Sequence, residues 1–173
     1  YLLYLHNLIK IYDSFANAYK VFHFERRIII MGKISVVYWS QSGNTLAMAE
    51  AIGKGITDGG AQAEVVNVSS CQVSDLDTEE VFALGCPAMG AEVLEESEME
   101  PFVAELEGNV KDKKIALFGS YGWGDGQWMR DWEERMTSAG ATVVNGEGLI
   151  CQEAPDGDVI SECESLGKQL AGM

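Results

Sequence analysis

Ile34-Ser35-Val36-Val37-Tyr38-Trp39-Ser40-Gln41-Ser42-Gly43-Asn44-Thr45 is a short β-branched run that breaks into hydroxyls, amides and a glycine. The run reads as a buried strand. From Asn44 onward apolar residues recur at Leu46, Met48, Ala49, Ile52 and Ile56, close to a helical stripe, and Asp58-Gly59-Gly60 ends it. A strand that turns through Ser40–Thr45 into a helix start favours an anion, through the helix's orphan N–H groups and its dipole. The loop contains no Lys or Arg and no G-K-[ST], and no G-x-G-x-x-G follows a strand. It therefore suits a monophosphate held by neutral hydrogen bonds without turnover. Taken alone, the same residues also describe an ordinary helix cap.

The pattern continues outward from this stretch. Ala63–Val68 alternates as a second strand, and Val81–Gly85 is a third and fully apolar one. Pro101 can open a helix with Phe102, Val103 and Leu106 on its apolar face. Lys114–Phe118 is a fourth strand, followed by a helix over about 127–139 bearing Trp128, Trp132 and Met136. A fifth strand is expected from 141–144 and 149–150, interrupted at 145–148, and a last helix over about 158–171. Strands alternating with helices predict an α/β three-layer sandwich around a five-stranded parallel sheet in the order 2-1-3-4-5. Ligands on such sheets bind beyond the carboxyl ends of the strands. The unusual loops after strands 1, 3 and 4 all lie at that edge. The second is Cys86-Pro87-Ala88-Met89-Gly90-Ala91-Glu92, and the third is Gly119-Ser120-Tyr121-Gly122-Trp123-Gly124-Asp125-Gly126. Met89 and Trp123, with Trp39 and Tyr121, could each be ordinary packing. Together beside an anion loop they predict a slot for a planar ring.

Composition bounds the partners. Among 173 residues there are 12 Lys+Arg against 27 Asp+Glu, a net charge of −15. That excludes nucleic acid, which needs basic contacts to phosphate. It fits either a basic macromolecular partner or simple solubility. Residues 1–30 differ from the rest: they hold 7 of the 16 aromatic residues and both histidines, His6 and His23. Lys10, Lys20, Arg26 and Arg27 outnumber Asp13 and Glu25 there, so 8 basic and 25 acidic residues remain in 31–173, a net of −17. No apolar run approaches the ~20 residues of a membrane span, and the run Leu2–Ile9 has no basic segment before it. Met31-Gly32-Lys33 reads as an ordinary start, so residues 1–30 are expected to be an extension outside the native domain of 31–173. That domain has no histidine, which removes imidazole bases and His-ligated metals. Cys71, Cys86, Cys151 and Cys163 form no C-x-x-C pair, and free thiols fit the cytoplasm.

The three loops, with Glu92-Val93-Leu94-Glu95-Glu96-Ser97, resemble the flavodoxins, most closely the short-chain type of anaerobic bacteria, over roughly residues 31–173. The resemblance implies a non-enzymatic, low-potential one-electron carrier that binds FMN and works through its semiquinone/hydroquinone couple. It implies that Ser40, Gln41, Ser42, Gly43, Asn44 and Thr45 hold the phosphate, beside Trp39. Met89 and Trp123 would flank the ring, with Pro87, Ala88 and Ala91 beside them. Glu92 would accept from ring N3, and Ser120, Tyr121, Gly122 and Gly124 would line the ring and ribityl chain. At Gly90 a peptide turn would let a carbonyl meet N5 of the semiquinone. Gln41 and Ala91 depart from residues common in that family. The expected partners are reductases and acceptors with basic docking surfaces, met by Glu92, Glu95, Glu96 and Glu98 on a monomer. An FMN-dependent quinone reductase on the same fold is the alternative. A phosphoacceptor receiver is a poor match, because Gly85-Cys86 and Trp39-Ser40 stand where it needs acidic residues.

Overall fold

The structure is a computed structural model and describes residues 32–173. The extension expected at residues 1–30 lies outside the described residues. Strand β1 (Lys33–Tyr38) leads into α1 (Asn44–Asp58), and β2 (Gln62–Asn67) follows. Two short 3-10 turns, Val68–Ser70 and Val73–Leu76, then reach β3 (Val81–Gly85). Next come α2 (Met99–Leu106), β4 (Lys114–Tyr121) and α3 (Gln127–Ser138). The chain ends with β5 (Thr142–Val143), β6 (Leu149–Gln152) and α4 (Gly157–Ala171).

All strand pairings are parallel, in the order β2-β1-β3-β4-β5, with β6 also pairing β4. The expected sheet order holds, with its fifth lane made of two pieces. β5 pairs with Lys114 and Ile115, and β6 resumes opposite Phe118–Tyr121. Asn145 (φ 65°) and Gly146 (φ 76°) are both left-handed, and two such residues in succession break the strand. The resumption carries the chain to the carboxyl edge of the sheet, where the loops gather.

Alternation along the strands fills two layers. Val37, Phe82, Leu84, Ile115 and Leu117 face α2 and α3, where Met99, Phe102, Trp128 and Trp132 are buried. Val36, Ala83, Ala116 and Phe118 face α1 and α4, with Met48, Ile52, Cys163 and Leu166. α1 and α4 meet through Gly55 and Gly167, where an added Cβ would collide with the other helix's backbone. That close contact fixes the direction of α1, and so the aim of its N-terminus.

Candidate functional site

The loops expected to cooperate do converge. A cleft of about 480 Å³ opens at the carboxyl edge of the sheet, a volume typical of ligand sites. Gln41, Ser42 and Asn44 line it from the first loop, and Pro87, Ala88 and Met89 from the second. Ser120, Tyr121 and Gly122 come from the third, and Glu153 and Ala154 from the loop after β6. The last two were missed by sequence reasoning. The available signal was the strand-end rule itself, which applies equally to the fourth loop. Glu153 is left-handed (φ 59°) and its N–H donates to the Tyr121 carbonyl at 2.7 Å, which seats it against the third loop.

The first loop is shaped by Gly43, whose φ of 93° closes the turn into α1. Its N–H donates to Ser40 Oγ at 3.1 Å. Thr45 is buried, and its hydroxyl lies 3.3 Å from the buried Ser120 hydroxyl, joining the first loop to the third. Trp39 does not line the cleft: its indole Nε1 donates to Glu98 Oε2 at 2.8 Å.

The second loop is a tight hairpin. Met89 and Val93 exchange N–H···O bonds of 2.9 and 3.0 Å, which places Gly90, Ala91 and Glu92 at its tip. Gly90 (φ 47°) and Glu92 (φ 56°) are both left-handed. Gly90 and Ala91 are exposed beside the cleft rather than in its wall. Glu92 Oε1 accepts from the N–H groups of Gly126 and Gln127 at 2.9 and 3.0 Å, so this carboxylate caps α3. In the third loop, Gly124 packs against Glu92. Trp123 is 63% exposed, the most open of the large apolar side chains among the described residues. The Tyr121 ring lies 5.5 Å from that of Trp128.

Glu95 was expected on a docking surface but is only 7% exposed. Its carboxylate accepts from the backbone N–H groups of Ser97 (2.9 Å), Glu98 (2.8 Å) and Met99 (3.2 Å), and from the Ser97 hydroxyl. The orphan donors at the start of α2 draw it inward. Burial alone would raise its pKa, but these donors outweigh burial and hold the carboxyl below its ordinary value. Glu96 remains exposed. Burial pushes the Cys86 thiol, at the root of the second loop, up to about 12, so it stays protonated and unreactive.

Helix starts are therefore satisfied by carboxylates in three cases: Glu95 at α2, Glu92 at α3 and Asp156 at α4. α1 begins at the cleft with no side-chain cap and no acidic residue in its first turn. The cleft lining contains no Lys or Arg. Among the described residues no cluster of side chains could hold a metal ion, and no helix is long and apolar enough to cross a membrane.

The chain is similar to known proteins over most of its described length. The flavodoxin family model matches residues 36–166. The chain is 50% identical to a flavodoxin of Clostridium beijerinckii over 140 residues, 81% of this chain and 100% of that one. It is 45% identical to a flavodoxin of Megasphaera elsdenii, over 80% of this chain and 98% of the relative. The solution structure of the two-electron reduced Megasphaera elsdenii flavodoxin superposes with a TM-score of 0.73 at 44% identity, covering 81% of this chain and 99% of that chain.

Proposed function

The chain belongs to the flavodoxin family, and from that premise we propose that it binds FMN non-covalently in this cleft. It is a low-potential one-electron carrier between redox partners rather than an enzyme. The observation that carries the site assignment is the uncapped start of α1, which faces Gln41, Ser42 and Asn44 and, among the α-helices of the described residues, is the one start without a carboxylate. A phosphate dianion supplies the acceptor oxygens that carboxylates supply at the other three helices. Space for the cofactor is consistent with this: a Cβ added at Gly43, Gly90 or Gly122 would meet nothing within 4 Å.

FMN, when bound, supplies the one-electron chemistry of its ring. Ser40, Gln41, Ser42, Gly43, Asn44 and Thr45 would hold its phosphate, and Met89 and Trp123 would flank the ring, with Trp39 bracing the loop from outside. Pro87, Ala88, Ala91, Ser120, Tyr121, Gly122 and Gly124 would line the ring and ribityl chain. Glu92 commits Oε1 to α3, which leaves Oε2 without a protein donor among the described residues and free to accept from ring N3. Gly90 lets its peptide present either an N–H or a carbonyl toward N5, because φ values of both signs are open to it. Glu92 and Glu153, with no cation in the cleft wall, oppose added negative charge and so favour a low potential.

We propose further that the protein works as a monomer in the cytoplasm with partners that carry basic docking surfaces; the net charge of −15 and the four free thiols support this reading. The direct test is an absorption spectrum of the purified protein with FMN titrated in. We expect a flavin spectrum at one FMN per chain, and a colourless protein that refuses FMN overturns the assignment. Transfer rates to a basic reductase should fall as salt rises, and a rate indifferent to ionic strength removes the docking claim.

A further inference from the structure

A side-chain bridge links the residues that flank the first and second loops of the cleft. Trp39 is the last residue before the anion loop. Its backbone N–H is fixed to the Gly85 carbonyl at 2.9 Å, and its indole Nε1 reaches Glu98 Oε2 at 2.8 Å. Glu98 closes the segment that opens at the Met89–Val93 hairpin. Its own N–H donates to Glu95 Oε2 at 2.8 Å, and the Glu95 N–H donates to Cys86 Sγ at 3.4 Å, at the root of that same loop. A continuous line of contacts thus runs from the residue preceding Ser40, through Glu98 and Glu95, to the root of the second loop at Cys86.

We propose that the Trp39–Glu98 hydrogen bond couples the anion loop to the ring-side loop, so that an anion at the start of α1 raises the affinity of the second loop for a planar ring. Trp39 and Glu98 are positioning residues: neither lines the cleft. The anion orders Ser40–Thr45 and with it Trp39. The indole then holds Glu98, and the hairpin from Met89 to Glu92 is met already ordered, so that ordering does not oppose the second binding step. Linkage requires the reverse as well: a ring bound at the hairpin strengthens anion binding by the same factor.

The inference rests on the FMN reading, and the experiment separates the two. Riboflavin, the ring without its phosphate, is titrated into the full chain freed of flavin, with and without inorganic phosphate, and read by flavin fluorescence. The observable is the factor by which phosphate tightens riboflavin binding. The wild-type chain is expected to show such tightening. Trp39→Phe, which keeps an aromatic ring and removes the N–H, should reduce the factor about fivefold, on the net scale of one solvent-exposed hydrogen bond. Glu98→Ala should do the same, and the double variant should lose no more than either. Glu98→Gln keeps a carbonyl acceptor and should retain the factor. A purely structural weakening would lower riboflavin affinity with and without phosphate alike and leave the factor intact. The proposal is overturned by an undiminished factor in Trp39→Phe, by its loss in Glu98→Gln, or by a wild-type factor of one. Failure of the wild-type chain to bind FMN at all would instead overturn the function proposed above.

Discussion

Glu92, Glu95 and Glu98 stand three residues apart in a run that reads as one solvated acidic face, yet each carboxylate is engaged within the molecule. The first caps α3, the second caps α2 and the third receives the Trp39 indole. What separates them from Glu96 is the donor each one meets: distant backbone N–H groups of α3 for Glu92, the N–H groups of Ser97, Glu98 and Met99 just ahead in the chain for Glu95, and the Trp39 indole for Glu98. Glu95→Ala should cost about 2–3 kcal/mol in denaturant unfolding, because buried N–H groups lose a charged acceptor. Its carboxyl titrates lower in the folded chain than in the unfolded one. The stabilisation is therefore complete above the unfolded-state pKa and is lost as pH falls through the folded value. Glu95→Gln should flatten that acidic limb of the stability curve. Gly90→Val should narrow the separation of the two one-electron potentials in a reductive titration while leaving phosphate-loop affinity nearly unchanged. The reason is that a β-branched residue resists the left-handed φ found there. An unchanged separation would exclude the peptide turn.

At the scale of elements, α3 offers an internal control. Trp128 and Trp132 are both almost fully buried, one turn apart, against the same core. The Trp128 Nε1 donates to the Cys86 carbonyl at 3.2 Å, whereas Trp132 Nε1 has no partner among the described residues. An unmet buried donor is a standing cost, so Trp132→Phe should be about 1–3 kcal/mol less destabilising than Trp128→Phe. Equal losses in thermal or denaturant unfolding would mean that the Trp132 N–H is satisfied in solution. The helices and strands themselves were legible, because apolar periodicity marks each of them. Even the break at 145–148 was readable, from Asn145-Gly146 and the glycine at 148. The consequence of that break was not readable. β6 resumes on β4 and delivers Glu153 and Ala154 to the cleft, which depends on a pairing across the sheet.

For the molecule as a whole, the charge boundary near residue 30 predicts that the folded unit is 31–173. A chain beginning at Met31 should bind FMN as tightly as the full chain and unfold at the same temperature. A drop in either quantity would assign the first thirty residues a role in the domain. With 25 acidic residues against 8 basic in 31–173, the long-range field repels anions, and yet the cofactor carries one. The local N–H groups at the start of α1 must overcome that field. FMN affinity should therefore rise with moderate salt, opposite in sign to the salt effect expected on partner docking.

The sequence by itself determined the order of elements, the parallel sheet and the edge at which a ligand would sit. These follow from local periodicity and from the handedness of crossovers, which act through near neighbours along the chain. It also named the three loops that meet there, because residues such as Gly43, Gly90 and Met89 carry their own conformational or chemical signature. Only the tertiary structure decided which acidic residues turn inward, that Trp39 braces the site from outside its wall, and that a fourth loop completes the cleft. Apart from Glu95, whose donors lie two to four residues ahead of it, those outcomes depend on donors and acceptors that packing brings together from distant parts of the chain. No local pattern around Trp39-Ser40-Gln41-Ser42-Gly43-Asn44-Thr45 records that its first residue is tied to Glu98.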